Sequence, residues 1–329
     1  ISGLTPSRSD SGWKGGMFKY LDKFLATGAI TLVSFLVCAW LLRRWRHGPR
    51  FKERFGSAML VGCFAFTFGM MMVGKATYSD NRWITQAALP GRGVMEMAQP
   101  GEFARSDVYK GNDNLAMYWD LPNIQCFHSI VPVSLMEFYP EVGVKRDVSS
   151  KPDKKYLHLR SLLSVKWLYI AEGEEEQSPM RGFDLVDTRL GYNIYQNQNY
   201  LPMGFSYDKY ITQKDWDGLP TDYKSRALLH GIYLEDEVLD RHRDILEPVE
   251  EGWMGRLAVD ELELDVADRR AMTCDTFTVD TRGFTATSYF DRERLVFFSV
   301  PYDKGWSATV NGQPARIEKV NIGFMAVRG

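Results

Sequence analysis

The sequence predicts a membrane α-helical hairpin followed by an extracytoplasmic α+β region and a C-terminal antiparallel β-sandwich-like domain. Three observations carry this prediction: two long uncharged apolar runs near the start, an arginine-rich stretch between them, and a closing series of short segments broken by Gly, Asp and Asn-Gly. The 329 residues suffice for about two or three structural units. The 40 Lys+Arg nearly balance the 42 Asp+Glu, which excludes a protein that coats nucleic acid through a basic excess, so no nucleic-acid partner is expected. A hydrophobic fraction of 45% with 25% charged residues belongs to folded rather than disordered chains.

Residues 1–23 are polar and Gly/Ser-rich and read as an extracytoplasmic loop. Residues 24–42 (FLATGAITLVSFLVCAWLL) carry no charge. As a helix they extend about 28 Å, close to the hydrocarbon thickness of a bilayer. Residues 57–74 (SAMLVGCFAFTFGMMMVG) form a second such run. The intervening 43–56 hold six Lys/Arg against one Glu, which the positive-inside rule assigns to the cytoplasm, with Trp40 and Trp45 as interfacial anchors. Both outer ends of the hairpin then face the opposite side. Two core helices of a soluble protein are the competing reading, which Pro49 and the basic loop disfavour. Gly62 and Gly69 leave room for a neighbouring helix. The chain opens on Ile1 rather than Met and stops directly after a strand-like GFMAVR, so it reads as a piece of a larger membrane protein, truncated at its C-terminus.

Residues 75–245 alternate short apolar segments with Gly, Pro, Asn and Asp clusters, an irregular order of strands and helices expected of an α+β layer. Strand character falls at 165–171, 183–186, 192–195 and 203–207. Helical character falls at 135–139, 156–164, 222–229 and, beyond this region, 264–274. The acidic run at 172–176 reads as a solvated loop. Residues 246–329 are β-rich: TFTVD, GFTATSYF, RLVFFSVPY, WSATV, ARIEKV and GFMAV succeed one another. Asn311-Gly312 predicts a type I′ hairpin turn, since both central positions of that turn need positive φ.

Five segments carry a family resemblance: 111–144 (GNDNLAMYWDLPNIQCFHSIVPVSLMEFYPEVGV), 162–170, 191–212, 269–290 and 300–327 (VPYDKGWSATVNGQPARIEKVNIGFMAV). Together they resemble the distal part of the YfhO-like family of bacterial multispanning membrane proteins, over most of residues 105–329 and with the hairpin as the last spans before the ectodomain. The resemblance implies an integral-membrane glycosyltransferase of the GT-C type, using a polyprenyl-phosphate sugar donor and acting on cell-envelope polymers such as teichoic acid. In such enzymes the catalytic carboxylate lies among the first spans, so no catalytic residue is assigned to this chain. The fragment itself is expected to hold no cofactor. Its implied partners are membrane lipids, preceding transmembrane helices of the same protein, the lipid-linked sugar and the polymer. The implied location is the bacterial cytoplasmic membrane, with residues from about 75 onward outside.

The residues themselves nominate three places. Asp80 with Arg82, just beyond the second run, could accept a proton and bind phosphate at the membrane face, or serve as a helix cap and interfacial anchor. Asn112, Asp113, Asn114, Tyr118 and Trp119 combine hydrogen-bonding side chains with aromatic faces, a saccharide-binding mixture that also describes a turn, an N-cap and core aromatics. Trp306 is a saccharide platform or a core residue on a strand. Cys126 and His128 resemble half a metal site without a second half, and no metal is expected. A Cys126–Cys274 bridge is open. His158, His230 and His242 lie among charged residues and suggest nothing by spacing. The P-loop, dinucleotide, zinc-protease and nucleophile-elbow motifs are absent from the sequence. The functional expectation is therefore a glycosyltransferase whose ectodomain positions the acceptor, with a non-catalytic carbohydrate-binding or assembly module and a lipid-linked sugar transporter as alternatives.

Overall fold

The computed structural model describes residues 7–9, 12–14, 21–77, 83–125, 127, 130–145, 149–173 and 180–329. The chain divides into two compact units, Ile1–Asn81 and Arg82–Gly329.

In the first unit, β1 (Ser7–Ser9) and β2 (Gly12–Lys14) pair antiparallel. They precede two long helices, α1 (Leu21–Trp45) and α2 (Phe51–Thr77). Both are long and apolar enough to cross a membrane, over Thr27–Trp45 and Phe51–Met72. The helices extend further into the basic stretch than the apolar runs alone predict. Arg43 and Arg44 close the last turn of α1, where cations face the negative end of the helix dipole. Arg50, in the left-handed region at φ 61°, turns the chain into α2. Cys38 Sγ meets Met59 Sδ at 3.4 Å between the helices. A Cβ at Gly62 or Gly69 would meet nothing within 4 Å, so these faces are unfilled among the described residues.

The second unit is a mixed α/β body whose helices pack on two four-stranded sheets and a small three-stranded parallel one. The first half contains β3 (Arg105–Val108), α3 (Leu115–Tyr118), α4 (Val133–Glu141), α5 (Leu157–Leu162), β4 (Val165–Ala171), β5 (Phe183–Arg189) and β6 (Tyr192–Asn197). Next come β7 (Phe205–Ser206), β8 (Lys209–Ile211), α6 (Gln213–Asp217), α7 (Thr221–His230), β9 (Ile232–Tyr233), α8 (Asp236–Asp240), β10 (Glu247–Pro248), α9 (Trp253–Leu257) and α10 (Leu262–Arg270). The end of the chain is all strand: β11 (Thr276–Val279), β12 (Phe284–Thr287), β13 (Leu295–Pro301), β14 (Ala308–Val310), β15 (Gln313–Ala315), β16 (Ile317–Val320) and β17 (Phe324–Arg328).

One four-stranded sheet has the order β3-β4-β6-β5, with β3 parallel to β4 and the other pairs antiparallel. The parallel pair requires a long crossover, which α3, α4 and α5 provide. β4 is buried at nearly every position, the continuous apolar pattern of a strand covered on both faces. The second sheet is antiparallel with the order β16-β17-β13-β7. The closing strands lie in antiparallel sheets without closing a barrel, as expected, but β7, from the earlier part of the chain, joins them by pairing with β13 through Phe205↔Phe297. The main core correspondingly draws residues from Ile124 to Ala326. Arg105 on β3 ties the sheets together, donating from Nη1 to the Leu163 carbonyl (2.9 Å) and Ser299 Oγ (2.7 Å), and from Nη2 to the Ser299 carbonyl (2.9 Å).

Candidate functional site

The segment nominated at 112–119 is split by the fold. Asn114 is left-handed (φ 60°) at the start of α3, and its amide clasps a distant backbone: Oδ1 accepts from Phe127 N (2.8 Å) and Nδ2 donates to Phe127 O (2.9 Å). Asp113 pairs with Lys151 at 2.7 Å. Trp119 is completely buried, its Nε1 donating to the Ala87 carbonyl at 2.9 Å and its ring packed on Tyr169 and Tyr192. It is a core residue with no face open to a sugar. Asn112, Asp113 and Tyr118 remain exposed, and Tyr118 meets Trp83 edge-on at 6.1 Å. The cavity beside Asn112, Asp113, Asn123 and Gln125 measures about 10 Å³, room for one water rather than a saccharide. Asp80, Arg82, Cys126 and His128 lie outside the described residues, and with Cys126 so does the bridge to Cys274.

Trp306 occupies a different setting from the predicted strand. β14 begins only at Ala308, so Trp306 sits in the preceding turn, where Asp303 Oδ1 accepts from Gly305 N at 2.7 Å and the Asp303 carbonyl accepts from Trp306 N at 3.3 Å. Its indole is 37% exposed and lines a cleft of about 910 Å³ bounded by the β11–β12 and β14–β15 hairpins and by β13 and β17. The floor is aromatic: Phe284 lies 6.0 Å from Trp306 and 4.9 Å from Phe298. Gly283 packs closely there, since a Cβ would stand 3.3 Å from the Trp306 ring. The walls carry Asp280, Arg282, Thr285, Thr309 and Asn311. Asp280 Oδ1 accepts from the backbone N–H groups of Arg282 (2.6 Å) and Gly283 (2.9 Å), which fixes the turn between β11 and β12. Cys274 at the edge is buried, and burial pushes its thiol up to about 11, so it is an unreactive packing group. This combination of an open indole face with hydroxyl, amide and charged groups suits a polyhydroxylated ligand, ring faces covering C–H surfaces and polar groups meeting hydroxyls.

Sequence spacing missed the histidine–carboxylate pairs. His158 Nε2 lies 3.0 Å from Asp260 Oδ1, whose other oxygen accepts from Arg181 at 3.1 Å. His230 has a carboxylate at both ring nitrogens, Asp265 at 3.0 Å from Nδ1 and Glu250 at 3.3 Å from Nε2, and it stacks on Trp253. Only the imidazolium donates on both sides, and the Asp265 and Glu250 contacts accordingly raise the His230 pKa. Burial lowers that of His158 despite Asp260. Both rings border one water-sized cavity with Arg226 and Arg256. His242 similarly meets Glu318, which Arg241 also holds. Among the described residues no group of three or more His, Cys, Asp or Glu is arranged to hold a metal ion.

Comparison with known families matches residues 19–251 and 256–328 to the model described as bacterial membrane protein YfhO. No curated protein and no solved structure matches the chain. The match covers the two apolar helices together with nearly all of the mixed α/β unit that bears the cleft, and the chain therefore belongs to the YfhO family of bacterial membrane proteins.

Proposed function

We propose that this chain is the C-terminal part of a glycosyltransferase-like membrane protein whose ectodomain, from about residue 75 onward, lies outside the bacterial cytoplasmic membrane and positions an envelope polymer such as teichoic acid. The sugar comes from a polyprenyl-phosphate donor held with the preceding spans. The observation that carries the reading is the cleft beside Trp306, whose volume is that of a ligand site and whose lining combines aromatic faces with hydroxyl and amide groups. The basic residues around the α1–α2 turn support the orientation, because an arginine-rich inner loop sends both outer ends of the hairpin across the membrane.

In this reading the cleft binds and orients, and the chemistry lies elsewhere. Transfer requires a carboxylate to take the proton from the acceptor hydroxyl, and basic groups to balance the departing lipid phosphate. Within this chain Asp80 and Arg82 are the proposed near-membrane contributors. The test is complementation of a gene-deletion strain with the full-length gene carrying Trp306→Ala or Asp80→Asn, measuring sugar on the envelope polymer. Loss of decoration in the deletion strain and weaker decoration with Trp306→Ala support the reading. Normal decoration in the deletion strain ends it, and full rescue by Asp80→Asn removes that residue from the proposal.

A further inference from the structure

The second unit exposes an apolar surface that its own fold does not use. Ile130, just before α4, is 90% exposed, and Val133, the first residue of α4, is 71% exposed. Met136, one turn beyond Val133, also faces outward, whereas Ser134 and Phe138 turn into the core. Phe127, three residues before Ile130 and 42% exposed, exchanges two hydrogen bonds with the Asn114 amide and so lies beside the start of α3, where Met117 is 63% exposed and Tyr118 half-exposed. Tyr118 in turn meets the ring of Trp83. Large apolar side chains grouped in this way, rather than scattered singly, mark a surface that is covered in the working protein.

Chain connectivity selects the cover. Five residues separate Thr77, the end of α2, from Trp83, so the backbone alone keeps Trp83 within about 20 Å of the end of a membrane-crossing helix. Trp and Tyr favour the headgroup level of a bilayer, and exposed aliphatic side chains beside them gain by entering it. We infer that the surface formed by Met117, Tyr118, Phe127, Ile130 and Val133, with the half-buried Trp83 at its edge, docks on the bilayer, with Ile130 and Val133 inserted below the headgroups. The inference depends on the membrane helices and not on the sugar-transfer reading.

The test uses the whole chain in nanodiscs. Ile130→Cys and Val133→Cys, each in a chain whose native cysteines are Ala, are labelled with an NBD fluorophore, and Tyr289→Cys, at a 92% exposed position on another surface loop, is the reference. Blue-shifted emission at 130 and 133, quenched by doxyl-labelled lipid and not by aqueous iodide, supports insertion; the reference probe shows the reverse. Emission and iodide quenching equal to the reference overturn it. A blue shift without lipid quenching also overturns it, because the surface is then covered by polypeptide. Photo-crosslinking from benzoylphenylalanine at position 130, with the native cysteines retained, reads the same distinction by mass spectrometry: adducts on lipid support the inference, and adducts solely on protein refute it.

Discussion

Replacing Arg160 by Met removes one half of a completely buried ion pair, and the structure sets the expected size of the effect. Arg160 and Asp107 are both fully inaccessible. The guanidinium donates from Nε to Asp107 Oδ2 at 2.9 Å, from Nη1 to the carbonyls of Asp153 (2.9 Å) and Tyr156 (3.1 Å), and from Nη2 to the Pro152 carbonyl at 2.9 Å. Without it, Asp107 keeps only the amide of Gln125 among the described side chains. Stranding one buried charge costs about 3–5 kcal/mol. Burial already pushes the Asp107 carboxyl up, with Arg160 opposing, so its loss lets the carboxyl take a proton and the cost shrinks toward acid pH. With a urea slope of about 2 kcal/mol/M, a loss of about 4 kcal/mol lowers the unfolding midpoint by about 2 M at pH 8, and by less at pH 5. Tryptophan fluorescence of the nanodisc-embedded chain reads this, since Trp167 sits opposite Ser106 on the strand next to Asp107. The double variant Asp107→Asn/Arg160→Met should be far less destabilised than the two single variants combined. A single-variant loss below about 1 kcal/mol, or strict additivity, refutes the argument that the pair acts as a unit.

Three further outcomes follow from the same geometry. Because the His230 pKa is raised by Asp265 and Glu250, its stabilising contribution is fully present below the ordinary value of about 6.5 and is lost as pH rises through the raised one. His230→Gln should therefore lower Tm more at pH 5 than at pH 9, and an equal loss at both would remove the imidazolium assignment. In Gly91→Ala the new Cβ would stand 2.1 Å from Trp119 Nε1 and 2.7 Å from the Ala87 carbonyl, the two ends of one hydrogen bond; a loss of about 1–3 kcal/mol in denaturant unfolding is expected, and wild-type stability would contradict the close packing. Trp306→Ala should abolish any saccharide-dependent change in tryptophan emission while moving Tm little, since the indole is partly exposed; an unchanged titration would place the sugar response elsewhere.

Elements specified by local chemistry were legible in the sequence. The Asn311-Gly312 turn is present with φ values of 52° and 77°, joining Val310 to Gln313 as the dipeptide predicts. β4 covers the same 165–171 segment read from its β-branched and aromatic run. The apolar runs became α1 and α2, longer at both ends because helix formation continues through Arg and Lys once nucleated. Elements depending on distant partners were not legible. β3 is four residues long and polar at three of them, and it exists because β4 is beside it in parallel register. Asn321 reads as an ordinary turn residue, yet it is fully buried, with its Oδ1 accepting from Tyr233 N at 2.8 Å across 88 residues of sequence. The histidines failed for the same reason: Asp260 is 102 positions from His158, and no spacing rule spans that distance.

The candidate sites divide along the same physical line. Trp119 and Trp306 are alike in sequence, each an aromatic near short polar residues, and only tertiary packing tells them apart. Trp119 follows a helical turn that brings its indole beneath Gly91 and between Tyr169 and Tyr192, where its N–H has a carbonyl waiting. Trp306 follows an Asp303 turn on the rim of a hairpin, with Gly283 and Phe284 against the ring and open space beyond. One wall of the cleft is firmly seated. β13, which lines the cleft, pairs with β7 and is stapled by Arg105 to the sheet containing β3 and β4; burial lowers that arginine to about 10, leaving it cationic at neutral pH and able to hold Ser299. A ligand bound beside Trp306 would therefore lie between β13, a strand anchored to the first sheet, and the separate β11–β12 and β14–β15 hairpins.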